Sequence, residues 1–141
     1  MPRIEDLENY ENKIESVDQE KEATDNTLEV INERIEAISN AIHELSDDQE
    51  LAAALQEHQE NAENQKEQVQ ERRDELVSQL ESIQSEVEEI ESVNNNSESQ
   101  IQKLSSVGEN TSDAEQIISS RKAVIESYKS KIESLKDQLK R

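Results

Sequence analysis

Apolar residues in the first third of the chain recur at alternating steps of three and four, starting at Leu7 and ending at Leu45. Ten of the twelve positions in this stripe are apolar, and Lys21 and Thr24 are the two exceptions. Such spacing places the apolar side chains along one side of an α-helix, whereas a strand would alternate at every second residue. The pattern therefore predicts a helix over about 3–45 that packs against another helix.

The stripe loses its phase at residues 46–49 and then resumes with an offset of three residues. Two pairs of residues here have the spacing of a helix N-cap and its reciprocal partner: Ser46 with Gln49, and Asp47 with Glu50. We therefore expect a tight turn at residues 46–48, followed by a second helix over about 48–106. The alternative is one continuous helix with a three-residue stammer, which needs no turn.

Polar residues occupy several stripe positions in the first half of the second helix, namely Gln59, Lys66 and Arg73. A hairpin about residues 46–48 would bring Lys21 and Thr24 level with residues 69–73. Polar positions on the two helices would then meet at one level. Polar residues in such a seam commonly specify register or oligomeric state at some cost in stability.

A run of three Asn residues at 94–96 interrupts the second half of this helix. Asn is a poor helix former, so the helix could fray here. Ile101 and Leu104 nevertheless keep the register of the preceding apolar residues. We therefore expect the helix to continue to about Ser106.

Residues 107–112 give the strongest loop signal in the chain. Gly108 can adopt the left-handed conformation that ends a helix, and Ser112 with Glu115 has the spacing of a capping box. These residues predict a third helix over about 113–140. Its apolar face is wider than a single stripe, which is typical of a helix that contacts two neighbours.

Short connections make sequential helices antiparallel. The predicted fold class is therefore all-α: a long antiparallel coiled-coil hairpin with a third C-terminal helix, forming one elongated three-helix bundle over residues 1–141. Residues 4–17 and 128–139 would both lie beside residues 80–90 and form a three-helix core. The candidate helix-packing seam comprises Leu7, Ile14, Ile31, Ile38, Leu76, Ile83, Ile90, Ile118, Ile125 and Ile132.

The chain carries a net charge of −20, yet residues 121–141 alone carry +4. The overall charge repels nucleic-acid phosphates and anionic lipid surfaces, so we expect no nucleic-acid binding. No run of apolar residues approaches the roughly 20 that span a bilayer, so we expect no membrane insertion. The basic residues of the last helix form a candidate basic arm: Lys129, Lys131, Lys136 and Lys140. This arm either grips an acidic partner or, in the interpretation we favour, packs on the acidic helices of the chain itself.

Residues that could carry out chemistry are scarce in this sequence. There is no Cys and only one Gly, which excludes thiolate metal sites, cysteine nucleophiles and glycine-rich phosphate loops. The two histidines, His43 and His58, do not have the spacing of a zinc motif. The carboxylates lie on predicted solvated helix faces, where catalytic pKa values do not arise. We therefore expect no enzymatic activity, no metal and no cofactor.

The apolar stripes point to a protein that acts through other proteins. We expect a structural, scaffolding or assembly factor that packs its helices on a protein partner or on itself, as a monomeric bundle or a homodimer. The alternative is an acidic regulator that occupies a basic site on a partner, for example by mimicking nucleic acid. The first residues lack the features of a signal peptide, so a cytoplasmic location is the default expectation and leaderless export the alternative.

Overall fold

The computed structural model describes residues 2–141. A short 3-10 helix, Ile4–Asp6, precedes three α-helices: α1 (Asn9–Glu44), α2 (Gln49–Ser106) and α3 (Ser112–Leu139). No strand occurs among the described residues. Helix α1 packs on α2, and α2 packs on α3. The predicted all-α fold with three packed helices is therefore confirmed.

A tight turn joins α1 to α2, as the change of phase predicts. The backbone N–H of Asp48 donates to the Leu45 carbonyl over 2.9 Å, which closes the turn. The Asp48 carboxylate then accepts a hydrogen bond from the Leu51 N–H at 3.2 Å and caps α2. The continuous-helix alternative is wrong. The two predicted capping pairs are also wrong, because the cap lies at Asp48, one residue after Asp47.

Helix α2 continues without a break through the Asn run at 94–96. Asn94 is fully buried, and its side-chain amide donates to the Ile118 carbonyl of α3 over 3.3 Å. This contact to another helix offsets the weak helix propensity of Asn. The prediction that the helix survives to Ser106 is confirmed, and fraying at the Asn run is wrong.

Gly108 ends α2 in the left-handed conformation, with φ of 92°. Its N–H donates to the Ser105 carbonyl at 3.1 Å, and the Glu109 N–H donates to the Leu104 carbonyl at 3.2 Å. This pair of bonds is a Schellman motif, which satisfies carbonyls at the helix end. The predicted role of Gly108 is confirmed.

The predicted capping box of Ser112 and Glu115 is wrong. Thr111 occupies the N-cap position of α3 and makes no side-chain capping bond. The Ser112 hydroxyl instead donates to the Asn110 side chain over 2.8 Å. Ser112 therefore stabilises the loop that enters α3.

The described residues form two compact units. Unit 1 contains the described residues through Asp18 together with Val77–Arg141, and unit 2 contains Gln19–Leu76. In unit 1 the start of α1, the second half of α2 and all of α3 come together, which confirms the predicted three-helix core. Unit 2 contains only the rest of α1 and the first half of α2. The single domain that we expect from the sequence stays a prediction.

Candidate helix-packing surfaces

Most of the predicted seam residues are buried in unit 1. Seven of the ten lie in its core, each with 7% or less of its surface exposed: Leu7, Ile14, Ile83, Ile90, Ile118, Ile125 and Ile132. In unit 2, Ile31 and Leu76 are buried, whereas Ile38 is only half-buried. The seam therefore forms an internal core where three helices meet and a partly open one where only two do.

Two tyrosines help to join the three helices of unit 1. Burial and the nearby Glu86 carboxylate of α2 together raise the pKa of Tyr10 to about 12. Burial and the negative charges of Glu11 and Glu8 likewise raise the pKa of Tyr128 on α3. The first turns of α1 thus contact both α2 and α3.

The candidate basic arm divides into two kinds of lysine. Lys129 Nζ donates to both carboxylate oxygens of Glu91 on α2, each at 3.1 Å, and Lys136 Nζ donates to Gln84 Oε1 over 3.1 Å. The hydrogen bond to Glu91 raises the pKa of Lys129. The remaining two, Lys131 and Lys140, are exposed and form no ion pair with residues 2–141.

The sequence interpretation missed one cation of α3 that contacts α2. Lys122 forms an ion pair with Glu98. An alternation of basic residues on α3 with acidic residues on α2 could have indicated this pair once the antiparallel register was known. The register itself follows from contacts between residues far apart in the chain, such as Asn94 with Ile118.

A buried polar layer lies across the seam of unit 2. The guanidinium of Arg73 is 6% exposed and donates to the Thr24 hydroxyl at 2.8 Å and to the Asp25 carboxylate. Lys21 forms a second ion pair with Asp25 over 2.8 Å. Burial opposes ionisation of Asp25, but the hydrogen bonds from Lys21 and Arg73 outweigh it and lower the pKa of the carboxyl. The polar positions of the two helices thus meet at one level, as the sequence predicts.

A groove of about 700 Å³ runs between α1 and α2 within unit 2. Its lining includes Val30, which is 57% exposed, and Val69 from the facing helix. Arg34 and Arg72 also line it, and no carboxylate does. Arg34 donates to Gln65 over 2.8 Å, and Arg72 pairs with Glu20 and with Glu75. The groove is therefore an apolar surface edged by arginines that already have partners.

The rest of the seam in unit 2 is also incompletely covered. Several of its apolar residues are only half-buried: Leu28, Ile35, Ile42, Leu55 and Val69. Near the turn, Leu45 is 37% and Leu51 is 49% exposed. Two helices shield a shared stripe only where they face each other, so the flanks of the stripe stay accessible.

Groups for catalysis or metal binding do not gather in the described part of the chain. His43 and His58 are both exposed. Between residues 2 and 141, no three His, Asp or Glu residues are grouped so that they could hold a metal ion. The helices in the same range also lack the continuous apolar stretch that a membrane-spanning helix requires.

What this arrangement can do is present apolar helix faces to another helix. The accessible flanks of the unit 2 seam and its groove have that form, and side chains of this kind bind helices by packing. Comparison of the chain with protein-family models, with curated proteins and with solved structures finds no match.

Proposed function

We propose that the chain is a non-enzymatic structural or assembly protein that binds other proteins by helix packing. The observation that carries the proposal is the incompletely covered seam of unit 2. In unit 1, a third helix helps to bury the apolar seam residues. In unit 2, which has no third helix, many of the corresponding residues remain half-buried or exposed. Burial of such side chains is favourable by about 25 cal/mol for each Å² removed from water.

The partner we propose for unit 2 is an amphipathic helix with basic residues along its flanks. Residues 19–76 contain 17 acidic and 5 basic residues, so unit 2 carries a net charge of −12. A field of this sign accelerates the approach of basic partners and disfavours acidic ones. The apolar groove at Val30 and Val69 then supplies the contact that persists after the encounter.

The second candidate function, an acidic regulator of a basic site, is supported by the same net charge of −12. The two functions differ in what holds the complex together. A complex held by charge loses affinity steeply as salt rises, because screening shortens the Debye length from about 10 Å at 0.1 M to about 3 Å at 1 M. A complex held by apolar packing survives that change.

Retention of proteins from a lysate of the native cells on the tagged chain tests the proposal. We expect at least one partner to be retained at both about 0.1 M and about 1 M salt, and to be lost from the Val30→Asp variant. Ser39→Asp adds the same charge at an exposed position of α1 outside the groove lining, and this control should retain the partner. Retention at low salt alone would support the acidic regulator instead.

A further inference from the structure

A second set of exposed apolar residues lies in unit 1, on the parts of α2 and α3 nearest their connecting loop. Val93 is 46% and Leu104 is 47% exposed on α2, while Ile117 is 54% and Val124 is 36% exposed on α3. We call these four residues the α2–α3 strip. Four large apolar side chains so exposed within two adjoining helices are more than the single ones that a protein surface normally carries.

On α2, the strip lies on the face that contacts α1. Glu86 marks this face, because it lines a groove together with Tyr10 and Lys13 of α1. Val93 follows Glu86 by seven residues and Leu104 follows it by eighteen, which are about two and five helical turns of 3.6 residues. The two apolar residues therefore continue the α1-binding face of α2 toward the loop.

On α3, the strip also lies on the face that contacts α1. Tyr128 marks this face, because its hydroxyl lies close to Glu11 and Glu8 of α1, whose negative charges act on it. Val124 precedes Tyr128 by four residues and Ile117 precedes it by eleven, which are about one and three turns. The α2–α3 strip is thus the continuation of the surface that holds the first turns of α1, and here its side chains are exposed.

The charge around the strip differs from that of the rest of the chain. Residues 93–124 contain four acidic and three basic residues, for a net charge of −1, whereas the whole chain carries −20. A basic partner would find little electrostatic attraction at this surface. Two copies of the chain, in contrast, repel each other least where their charge is close to zero.

We propose that the α2–α3 strip binds the same strip of a second copy of the chain. The contact would be isologous, with a two-fold axis relating the copies, so that the two α2–α3 pairs form a four-helix bundle. The second copy would cover Val93, Leu104, Ile117 and Val124 in the way that the first turns of α1 cover the adjoining part of the same surface. This inference concerns residues of unit 1 and does not depend on the groove of unit 2.

Disulfide cross-linking of single-cysteine variants tests the position of the contact. The chain has no Cys of its own, and Gln100 is an exposed residue of α2 that lies between Val93 and Leu104 on the same face. In the contact we propose, the two-fold axis crosses α2 between Val93 and Leu104, so Gln100→Cys of the two copies lie near each other and mild oxidation should link them. Gln102→Cys is the matched control, because Gln102 is also exposed but lies about 200° around the helix. Equal cross-linking of the two variants, or none, would overturn the proposal.

Light scattering coupled to size exclusion tests the same contact without a covalent bond. We expect the parent to have a mass of about 32 kDa, twice the 16.1 kDa of one chain, and the Leu104→Glu, Ile117→Glu double variant to have the mass of one chain. Both side chains are exposed, so the thermal unfolding of the variant should show that it still folds. Val30→Glu, which alters the groove of unit 2, should remain a dimer. A monomeric parent, or a double variant that stays dimeric, would refute the strip as the contact, and neither result bears on the partner proposed for unit 2.

Discussion

Asn94 is a polar residue in a fully buried position. It lies among the apolar side chains of unit 1, and its amide nitrogen donates to the Ile118 carbonyl. Its side-chain oxygen is buried and accepts no hydrogen bond from residues 2–141. A buried polar group without a partner costs about 1–3 kcal/mol. Asn94 therefore lowers stability at a seam position, where polar residues specify register.

Asn94→Leu should raise the free energy of unfolding by about 1–2 kcal/mol, because it removes the unpaired oxygen and adds apolar burial. Urea denaturation measures the change. Asn95→Leu is the control, since Asn95 is the exposed neighbour and should change stability by less than about 0.5 kcal/mol. A loss of stability in Asn94→Leu would mean that the bond to Ile118 outweighs the cost of the unpaired oxygen.

Arg73 is a buried cation whose partners lie on the facing helix of unit 2. Arg73→Ala should lower the free energy of unfolding by about 1–3 kcal/mol, because Asp25 then keeps only Lys21 as a partner. This loss is smaller than that expected for a fully buried ion pair, because the Asp25 side chain is 39% exposed. Lys66 is half-buried at the equivalent position two turns earlier, and Lys66→Ala should have a smaller effect. Equal losses in the two variants would show that the polar layer contributes no more than side-chain packing.

The pH dependence of this layer follows from Asp25. Its pKa in the folded chain is lower than 3.8, its ordinary value, so its contribution to stability is complete above about pH 4 and is lost as the pH falls through the lowered pKa. The stability difference between the parent and Asp25→Asn should therefore shrink in acid. Urea denaturation at a series of acidic pH values measures it, and a difference that is constant with pH would contradict the assignment.

Tyr10 and Tyr128 are the only two tyrosines, and there is no Trp, so the absorbance of the phenolate reports on them alone. The pKa of Tyr10 is raised from 10.0 to about 12, so the stability that its protonated hydroxyl contributes is complete below pH 10 and is lost as the pH rises through 12. In the Tyr128→Phe variant, Tyr10 is the only tyrosine. Its pKa should be near 12 in the folded chain and near 10 in urea. In Glu86→Gln the pKa of Tyr10 in the folded chain should fall, because the negative charge that disfavours the phenolate is lost.

At the scale of the element, α3 shows how an apolar stripe and its flanking charges act together. Six of its residues are buried: Ile118, Ile125, Tyr128, Ile132, Leu135 and Leu139. Beside this stripe, Lys129 pairs with Glu91 of α2. An isolated helix of this length is marginal in water. The helix is therefore stabilised chiefly by the surface it buries.

Ile125→Asp with Ile132→Asp should lower the melting temperature sharply, because each Ile is at most 1% exposed. Truncation of a buried Ile alone costs about 2–5 kcal/mol, and the buried charge of each Asp adds to that cost. Ser127→Asp with Ser134→Asp is the control, because it adds two charges at exposed positions of the same helix. Circular dichroism during heating measures both variants. Equal melting of the two would mean that α3 does not dock through this stripe.

At the scale of the whole molecule, two electrostatic effects oppose each other. The net charge of −20 destabilises any compact state through self-repulsion. Against it stand ion pairs between helices, such as Lys129 with Glu91 and Lys122 with Glu98. Partly exposed pairs of this kind contribute about 0–1 kcal/mol each. We therefore expect the repulsion among the excess carboxylates to be the larger effect.

Added salt should accordingly raise the melting temperature. Most of the gain should come between about 0.01 M and 0.15 M, where the Debye length falls from about 30 Å to about 8 Å. Scanning calorimetry over a series of sodium chloride concentrations measures it, with sucrose as a control for effects that do not involve charge. A melting temperature that falls with salt would show that the ion pairs outweigh the net repulsion.

Features that depend on residues close together in the chain could be predicted from the amino-acid sequence. The stripe that begins at Leu7 predicted α1, and Gly108 predicted the end of α2, because the apolar spacing of a helix and the left-handed conformation of Gly are local properties. The meeting of Thr24 with Arg73 was also predictable, because a hairpin turn determines which residues of two antiparallel helices lie level.

How fully each seam position is covered, and by which helices, could not be predicted from the sequence and depends on the packing of the three helices. Burial of Asn94, the proximity of Tyr128 to Glu11 and the exposed strip from Val93 to Val124 all depend on where a third helix lies. Apolar periodicity shows which face of a helix is apolar but not how many helices cover it. The same stripe is consequently a closed core in unit 1 and a partly open surface in unit 2, because packing between residues distant in the chain determines solvent exposure.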